Sequence, residues 1–251
     1  MTKKKRLDAL LVDRCLAADV EEARRLIGAG LVRVEEQLAD KAGQQILETS
    51  RVQVKAVRRF VSRGGEKLEA ALHAFTLYPQ GMVCADIGSS TGGFTDCLLH
   101  YGASKVYCVD VGYGLLAWKL RTDPRVVVRE RVNARYLSEE HIPEPLDLAV
   151  VDASFISLTL LLPPLFPLFQ EDLRLLVLVK PQFQLAREKV AAGGVVHSRT
   201  LRDEAVAMVQ DFAQGHGLTC AHPFVSPVPG AKGNEEVFLY LTGPQPGESR
   251  P

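Results

Sequence analysis

Gly81–Phe94, GMVCADIGSSTGGF, decides the fold. Met82, Val83, Cys84 and Ala85 form a short apolar run, the composition of a strand buried on both faces of a parallel sheet. The run ends in Asp86, and Gly88, Gly92 and Gly93 then punctuate a tight turn. Phe94, Cys97, Leu98 and Leu99 follow at helical spacing, so the turn opens a helix. With strand, glycine-rich turn and helix, open α/β sheets hold nucleotide-like ligands against backbone N–H groups. The spacing is not the G-x-G-x-x-G of a dinucleotide site, and no G-K-[ST] follows to make a phosphate loop. A carboxylate just before the glycines repels phosphate and suits an ammonium group or a ribose hydroxyl.

Downstream, the same grammar repeats. Lys105–Val109 reads as a strand ending in Asp110, where an acid accepts hydrogen bonds from ribose hydroxyls. Val126–Val128 leads to Asn133, Ala134 and Arg135, a polar corner suited to an adenine edge. Leu146–Val151 ends at Asp152, and Leu173–Val179 ends at Lys180. Asp86, Asp110, Asp152 and Lys180 are thus each expected at the C-terminal end of a parallel strand, the edge where such sheets bind ligands. Arg187–Ser198 is a polar, glycine-bearing loop expected near substrate. Arg202–Phe212 is amphipathic, with Ala205, Met208, Val209 and Phe212 inward, and Glu236 precedes an edge strand, Val237–Leu241.

Upstream, the character changes. Residues 1–67 carry 15 lysines and arginines against 10 acids, while residues 68–251 carry 15 against 20, although the whole chain is neutral. A basic N-terminal module on a mildly acidic body suits a polyanion partner, although the run Lys3–Arg6 alone is also the composition of a solvated tail. Leu7, Leu10 and Leu11 mark a first short helix, and Ala23, Leu26 and Ile27 a second that stops at Gly28 and Gly30. Leu31, Val32 and Val34, then Val52 and Val54, read as strands. The 251 residues are 47% hydrophobic and 24% charged, the balance of a globular chain with a substantial core. No apolar stretch reaches transmembrane length, and KKKR lacks the apolar run of a secretory signal. Five cysteines without a C-x-x-C pair fit a reducing cytoplasm, and the histidines show no metal-ligand spacing, so no metal is expected.

Two resemblances sharpen these expectations. Arg6–Val34 resembles the S-four RNA-binding module, with Arg6, Leu7, Asp8, Leu11, Ala23, Ile27, Gly30 and Val32 at matching positions. The resemblance implies docking on folded RNA through Arg6, Arg14, Arg24, Arg25 and Arg33, mainly to phosphates and RNA shape. D-x-G-x-x-x-G-G resembles the S-adenosylmethionine loop of class I methyltransferases. Together with SRGGEKL (62–68), VDASFIS (151–157), VLVKPQF (177–183), GGVVHS (193–198) and GNEEVF (233–238), the order resembles the TlyA, or "hemolysin A", family, from about Arg6 to Leu241.

That resemblance implies an α/β class I (Rossmann-like) fold with a mostly parallel seven-stranded sheet. It divides the chain into an RNA-binding domain and linker (1–60), an FtsJ-like methyltransferase domain (61–242) and a disordered tail (243–251). The cofactor implied is S-adenosyl-L-methionine, held by Asp86, Gly88, Ser90, Thr91, Gly92, Gly93, Phe94, Asp110, Val111 and Asn133. The substrate implied is ribosomal RNA, within ribosomal subunits and not DNA or membrane, methylated at a ribose 2′-hydroxyl of cytidine. A Lys-Asp-Lys-Glu tetrad carries over as Lys67, Asp152, Lys180 and Glu236, with Glu235 adjacent to the last. A 2′-hydroxyl is a poor nucleophile and loses its proton as the bond forms, so a lysine assists with a neutral amine or by stabilising the developing alkoxide. A non-catalytic RNA-binding or ribosome-assembly factor, a base methyltransferase and a membrane-lytic protein are the competing classes.

Overall fold

The computed structural model describes residues 3–55, 59–230 and 232–244. The chain divides into two compact units, Met1–Arg58 and Arg59–Pro251. Most of the expected tail, residues 245–251, lies outside the described residues, and so does part of the join, 56–58.

In the first unit, β1 (Lys4–Arg6) is a strand despite its lysines, because it pairs through its backbone. The helices α1 (Leu7–Asp13) and α2 (Val20–Gly28) follow. Three-residue strands β2 (Val32–Val34), β4 (Gln45–Leu47) and β5 (Val52–Val54) and the two-residue β3 (Gln37–Leu38) complete the unit. β1 pairs antiparallel with β4, and β2 lies between β3 and β5. Asp19 caps α2 by accepting from Glu22 N–H, and Glu22 reaches back to Ala18 N–H at 2.7 Å. Leu7, Leu10, Leu11, Ala23, Ile27 and Val32 are buried together, a core proportionate to some fifty residues. Glu35 and Glu36 both have positive φ in the two-residue turn between β2 and β3, the backbone of a type I′ hairpin.

The second unit is built on one sheet. Its strands are β6 (Val83–Ile87), β7 (Lys105–Asp110), β8 (Val126–Glu130), β9 (Leu148–Val151), β10 (Leu173–Val179), β11 (Thr219–Cys220), β12 (Phe224–Val225) and β13 (Val237–Gly243). The order is β11-β13-β10-β9-β6-β7-β8, with β12 also on β13. β6 to β10 are parallel to one another and β13 is antiparallel to β10. The sheet therefore has eight strands rather than seven. Its last position is split into β11 and β12, and Pro223, which has no N–H to donate, lies between them. For the same reason β13 is an interior strand and not an edge.

The strands alternate between two cores. Cys84, Val106, Cys108, Leu148, Leu176 and Phe238 face α3 (Arg63–Ala74) and α4 (Gly93–His100). Ala85, Val109, Val151, Val177 and Leu239 face the opposite core. There they meet α6 (Leu158–Leu161), the 3-10 segment Pro163–Leu168 and α8 (Arg199–Gly215). Two shorter helices, α5 (Trp118–Arg121) and α7 (Pro181–Gln184), follow β7 and β10. In α8, Ala205 and Val209 are buried, but Met208 is 41% exposed and does not join the core as its spacing suggests.

Candidate active site

β6 is the switch point of the sheet: the chain passes to β7 on one side, and after β8 it crosses to β9 on the other. A crevice forms where successive connections diverge. A cavity of about 1290 Å³ opens there, at the C-terminal ends of β6, β7 and β9. Gly88, Ser90, Asp110, Val111, Asn133 and Asp152 line it.

The glycine loop does two different jobs. Gly88 has φ +84°, and a Cβ on it would stand 2.9 Å from the carbonyl oxygen of Asp152, so the cavity floor stays open only without a side chain. Gly92 (φ +92°) and Gly93 face away from the cavity. A Cβ on Gly92 would meet Leu120 at 2.3 Å, and one on Gly93 would meet Ser62 Oγ at 2.1 Å. These two let α4 pack close to α5 and α3. Thr91 and Phe94 do not line the cavity either, and the Phe94 ring stacks on Phe238 in the core at 6.1 Å.

Asp86 is not at the strand end, because β6 runs on to Ile87 and the alternation of the strand turns the Asp86 side chain toward α4. It is fully buried. Its Oδ2 accepts from Thr95 N–H at 2.9 Å and Thr95 Oγ1 at 2.7 Å, while Oδ1 is buried without a partner. Burial pushes its pKa up to about 7, with the Thr95 hydrogen bonds pulling the other way. Asp86 thus holds the start of α4 under the glycine loop. Asp110 accepts from Ser90 N–H on Oδ2 at 2.8 Å and from Gly112 N–H on Oδ1 at 2.7 Å. One carboxylate ties the loops after β6 and β7 together, and each oxygen keeps a lone pair for a further donor. Asn133 Oδ1 accepts from Arg135 N–H at 3.1 Å and caps the 3-10 turn Ala134–Tyr136.

The lysines and carboxylates form two pairs, one buried and one partly buried. Lys180, the residue after β10, places Nζ 2.6 Å from Asp152 Oδ1, and it donates to Ser154 Oγ at 2.8 Å. The Asp152 contact is an ion pair, and Lys180 Nζ also donates to the Asp152 carbonyl oxygen at 3.4 Å. Lys67, on α3, donates to Glu236 Oε2 at 2.5 Å, with the two side chains only 10% and 3% exposed. β10 and β13 stay in register to the pair Val179↔Val237, so Lys180 and Glu236 are the next residues on neighbouring strands. The adjacent Glu235 is half exposed and pairs instead with Arg202 Nε at 3.0 Å. Lys67, Lys180 and Glu236 do not themselves line the cavity; Asp152 and Ser154 connect Lys180 to it.

Several residues around these pairs have no signal of their own in the sequence. Ser154 stands unremarked within VDASF. Phe155 follows it at φ +66° and 90% exposure, its ring 5.0 Å from Phe183, and both line the cavity. Buried Asn234 accepts from Val196 N–H and donates to the Gly194 carbonyl, both at 2.8 Å, tying the 193–198 loop to the turn before Glu236. Arg187, at the start of the 187–198 segment, lines the cavity.

In the first unit the five arginines expected to meet RNA are used unequally. Arg6 grips buried Asp8 with Nε at 3.0 Å and Nη2 at 2.7 Å, which holds the Asp8 carboxyl below its ordinary range. Arg24 Nε approaches the same carboxylate at 3.4 Å. Half-buried Arg14 donates to the carbonyl oxygens of Ser50 and Glu48, and Arg33 donates to that of Glu36. Arg25 is exposed, with no ion pair among the described residues.

An open floor at Gly88, two loops knitted by Asp110 and a polar corner at Asn133 fit a ligand with ribose and adenine parts. Residues 60–242 match the model of the FtsJ-like methyltransferases. Over 243 residues the chain is 46% identical to a Mycobacterium tuberculosis H37Rv protein named 16S/23S rRNA (cytidine-2′-O)-methyltransferase TlyA, spanning 96% of this chain and 91% of the relative. It is 37% identical to Hemolysin A of Brachyspira hyodysenteriae, spanning 94% of this chain and 99% of the relative. The solved structure of a candidate hemolysin from Streptococcus thermophilus superposes with a TM-score of 0.73 at 38% identity, covering 97% of this chain and 90% of that one. The sheet order and these matches agree on a class I methyltransferase fold, and the chain belongs to the FtsJ-like methyltransferase family.

Proposed function

We propose that this protein is an S-adenosylmethionine-dependent methyltransferase that modifies a cytidine ribose 2′-hydroxyl in ribosomal RNA, and so works in the cytoplasm. The observation that carries the reading is the convergence of two lysine–carboxylate pairs, the partly buried Lys180–Asp152 and the buried Lys67–Glu236, with Asp152, Lys180 and Glu236 at neighbouring strand ends and Lys67 on α3, beside a cavity at the switch point. The cavity exceeds the roughly 300–1,000 Å³ of a single small-ligand site, which suits a cofactor and a nucleotide together.

Gly88, Ser90, Asp110, Val111 and Asn133 would hold the cofactor, which when bound supplies a methyl group on a sulfonium. Asp86, Thr91, Gly92, Gly93 and Phe94 would serve the same end from behind, by fixing α4 and the loop. For an in-line displacement, positioning the hydroxyl oxygen supplies much of the catalysis. Lys180 is the group that meets that hydroxyl and manages its proton or the developing alkoxide charge. Asp152 and Ser154 aim its Nζ. Lys67 and Glu236 hold α3 and the start of β13 in place beside it. The first unit would dock on folded rRNA, with Arg25 and Arg33 as exposed contacts and Arg6, Arg14 and Arg24 partly committed to internal partners.

The test is transfer of tritiated methyl from S-adenosylmethionine to purified ribosomal subunits and free rRNA, with Lys180→Ala alongside. The expected result is label at an alkali-resistant linkage, lost in the variant by about 100-fold or more. Cofactor binding without transfer to either subunit would place the substrate elsewhere. Absence of cofactor binding would favour a non-catalytic RNA-binding factor. No helix among the described residues is long and apolar enough to cross a membrane, and lysis by the purified protein would be needed to support the hemolysin name.

A further inference from the structure

Gln182 is a polar side chain in the cavity that has no part in the function proposed above. Gln182 stands two residues beyond Lys180 on α7 and lines the cavity with Ser154, Phe155 and Phe183. Its Oε1 is buried and has no hydrogen-bond partner. Gln184, two residues on, is the contrast. Its Oε1 accepts from Ser157 Oγ at 2.9 Å and from Leu158 N–H at 3.1 Å, so that oxygen is employed in holding the start of α6. Buried carbonyl oxygens in folded proteins nearly always have a donor, and an exception on a side chain that lines a ligand cavity points to a donor that arrives with the ligand once the amide turns.

We propose that Gln182 is a specificity-determining residue that reads the base of the nucleotide whose ribose meets Lys180. The inference rests on the function proposed above and adds a base-reading group to it. A carboxamide offers one acceptor oxygen and two N–H donors side by side. Its terminal torsion is soft, so the amide turns into the cavity at little cost. Cytosine presents an amino donor next to a ring-nitrogen acceptor, the complement of an amide held with its oxygen toward the amino group. Phe155 and Phe183 form the apolar wall beside that edge. Lys180 contacts Asp152 and Ser154, which line the same cavity, so ribose and base would be handled by residues of one turn.

The experiment uses the full chain and transcripts of the rRNA domain containing the mapped nucleotide, with each of the four bases at that position. Methyl transfer is measured for wild type, Gln182→Leu and Gln182→Glu, and cofactor affinity is measured by calorimetry. The expected result is a wild-type preference for one base of about 10- to 100-fold that Gln182→Leu reduces to within about 3-fold, with cofactor affinity unchanged. Gln182→Glu keeps the shape and the acceptor but loses the donor, so it retains part of the preference for an amino-bearing base and remains informative where the leucine variant fails to fold. Wild-type selectivity in both variants would overturn the proposal, as when a trapped water satisfies Oε1. Equal loss of transfer to all four bases would overturn it too, in favour of a positioning role. Wild type that transfers to no transcript or subunit would instead sink the function reading itself.

Discussion

Lys67 and Glu236 are 169 residues apart in sequence and 2.5 Å apart in the fold. A buried ion pair is seldom a net source of stability, because desolvating both charges costs about as much as their attraction returns. Breaking one is different, since the remaining charge is stranded. Lys67→Ala is therefore expected to lower the unfolding free energy by about 3 kcal/mol in a denaturant titration, and the Lys67→Met/Glu236→Gln double variant to recover most of it. Methyl transfer should stay impaired in both, which separates the pair's part in the site from its part in the fold. Asp86 makes a second prediction at this scale. Its folded pKa, about 7, lies above the usual carboxylate value, so between pH about 4 and 7 the folded state holds a proton that the unfolded state has released. Stability from this group is full below that window, falls as pH rises through it and is lost above it. Asp86→Asn keeps an acceptor for Thr95 and should flatten the decline, seen as a melting temperature that changes less from pH 5 to 8.

The elements are held to the site by turns whose chemistry is local. A Cβ on Gly230 would stand 2.4 Å from Glu236 Oε1, and Gly230 N–H donates to the Asn234 carbonyl at 2.9 Å. The turn before β13 is thus the cradle of the Glu236 carboxylate, and Asn234 ties that cradle to the 193–198 loop. Gly230→Ala is expected to push the carboxylate off Lys67 and lower the transfer rate at least about 10-fold while cofactor affinity holds; equal losses in both would indicate a general disturbance. Across the sheet, Gly93 lets α4 touch α3 through Ser62, which caps α3 by accepting from Gly64 N–H at 3.2 Å. The spacing of these glycines is plain in the sequence. Their division between an open cavity floor at Gly88 and helix packing at Gly92 and Gly93 is not, because it depends on Asp152, Leu120 and Ser62, which come from other elements.

For the whole molecule, the two units divide the chemistry: one carries exposed arginines on a small core, and the other carries the cavity and the lysine–carboxylate pairs. If Arg25 and Arg33 meet phosphates, Arg25→Glu/Arg33→Glu in the full chain should weaken rRNA binding and reduce the slope of log affinity against log salt by about 1–2, with cofactor affinity unchanged. An unaltered slope would place the RNA elsewhere. The sequence by itself determined the alternation of apolar strands and helices, and with it the open sheet. Buried parallel strands must be continuously apolar, and their charged residues can stand only where the chain leaves the core. It therefore showed Asp110, Asp152 and Lys180 beside strand ends. Only the tertiary structure decided that Asp86 turns toward α4, that Phe94 belongs to the core and that Glu236 rather than Glu235 takes the buried lysine. It also decided that β13 is covered by β11 and β12. The physical reason is common to all four: which side of a strand or turn a residue faces, and what meets it there, is set by packing between segments far apart in the chain, which no local pattern encodes.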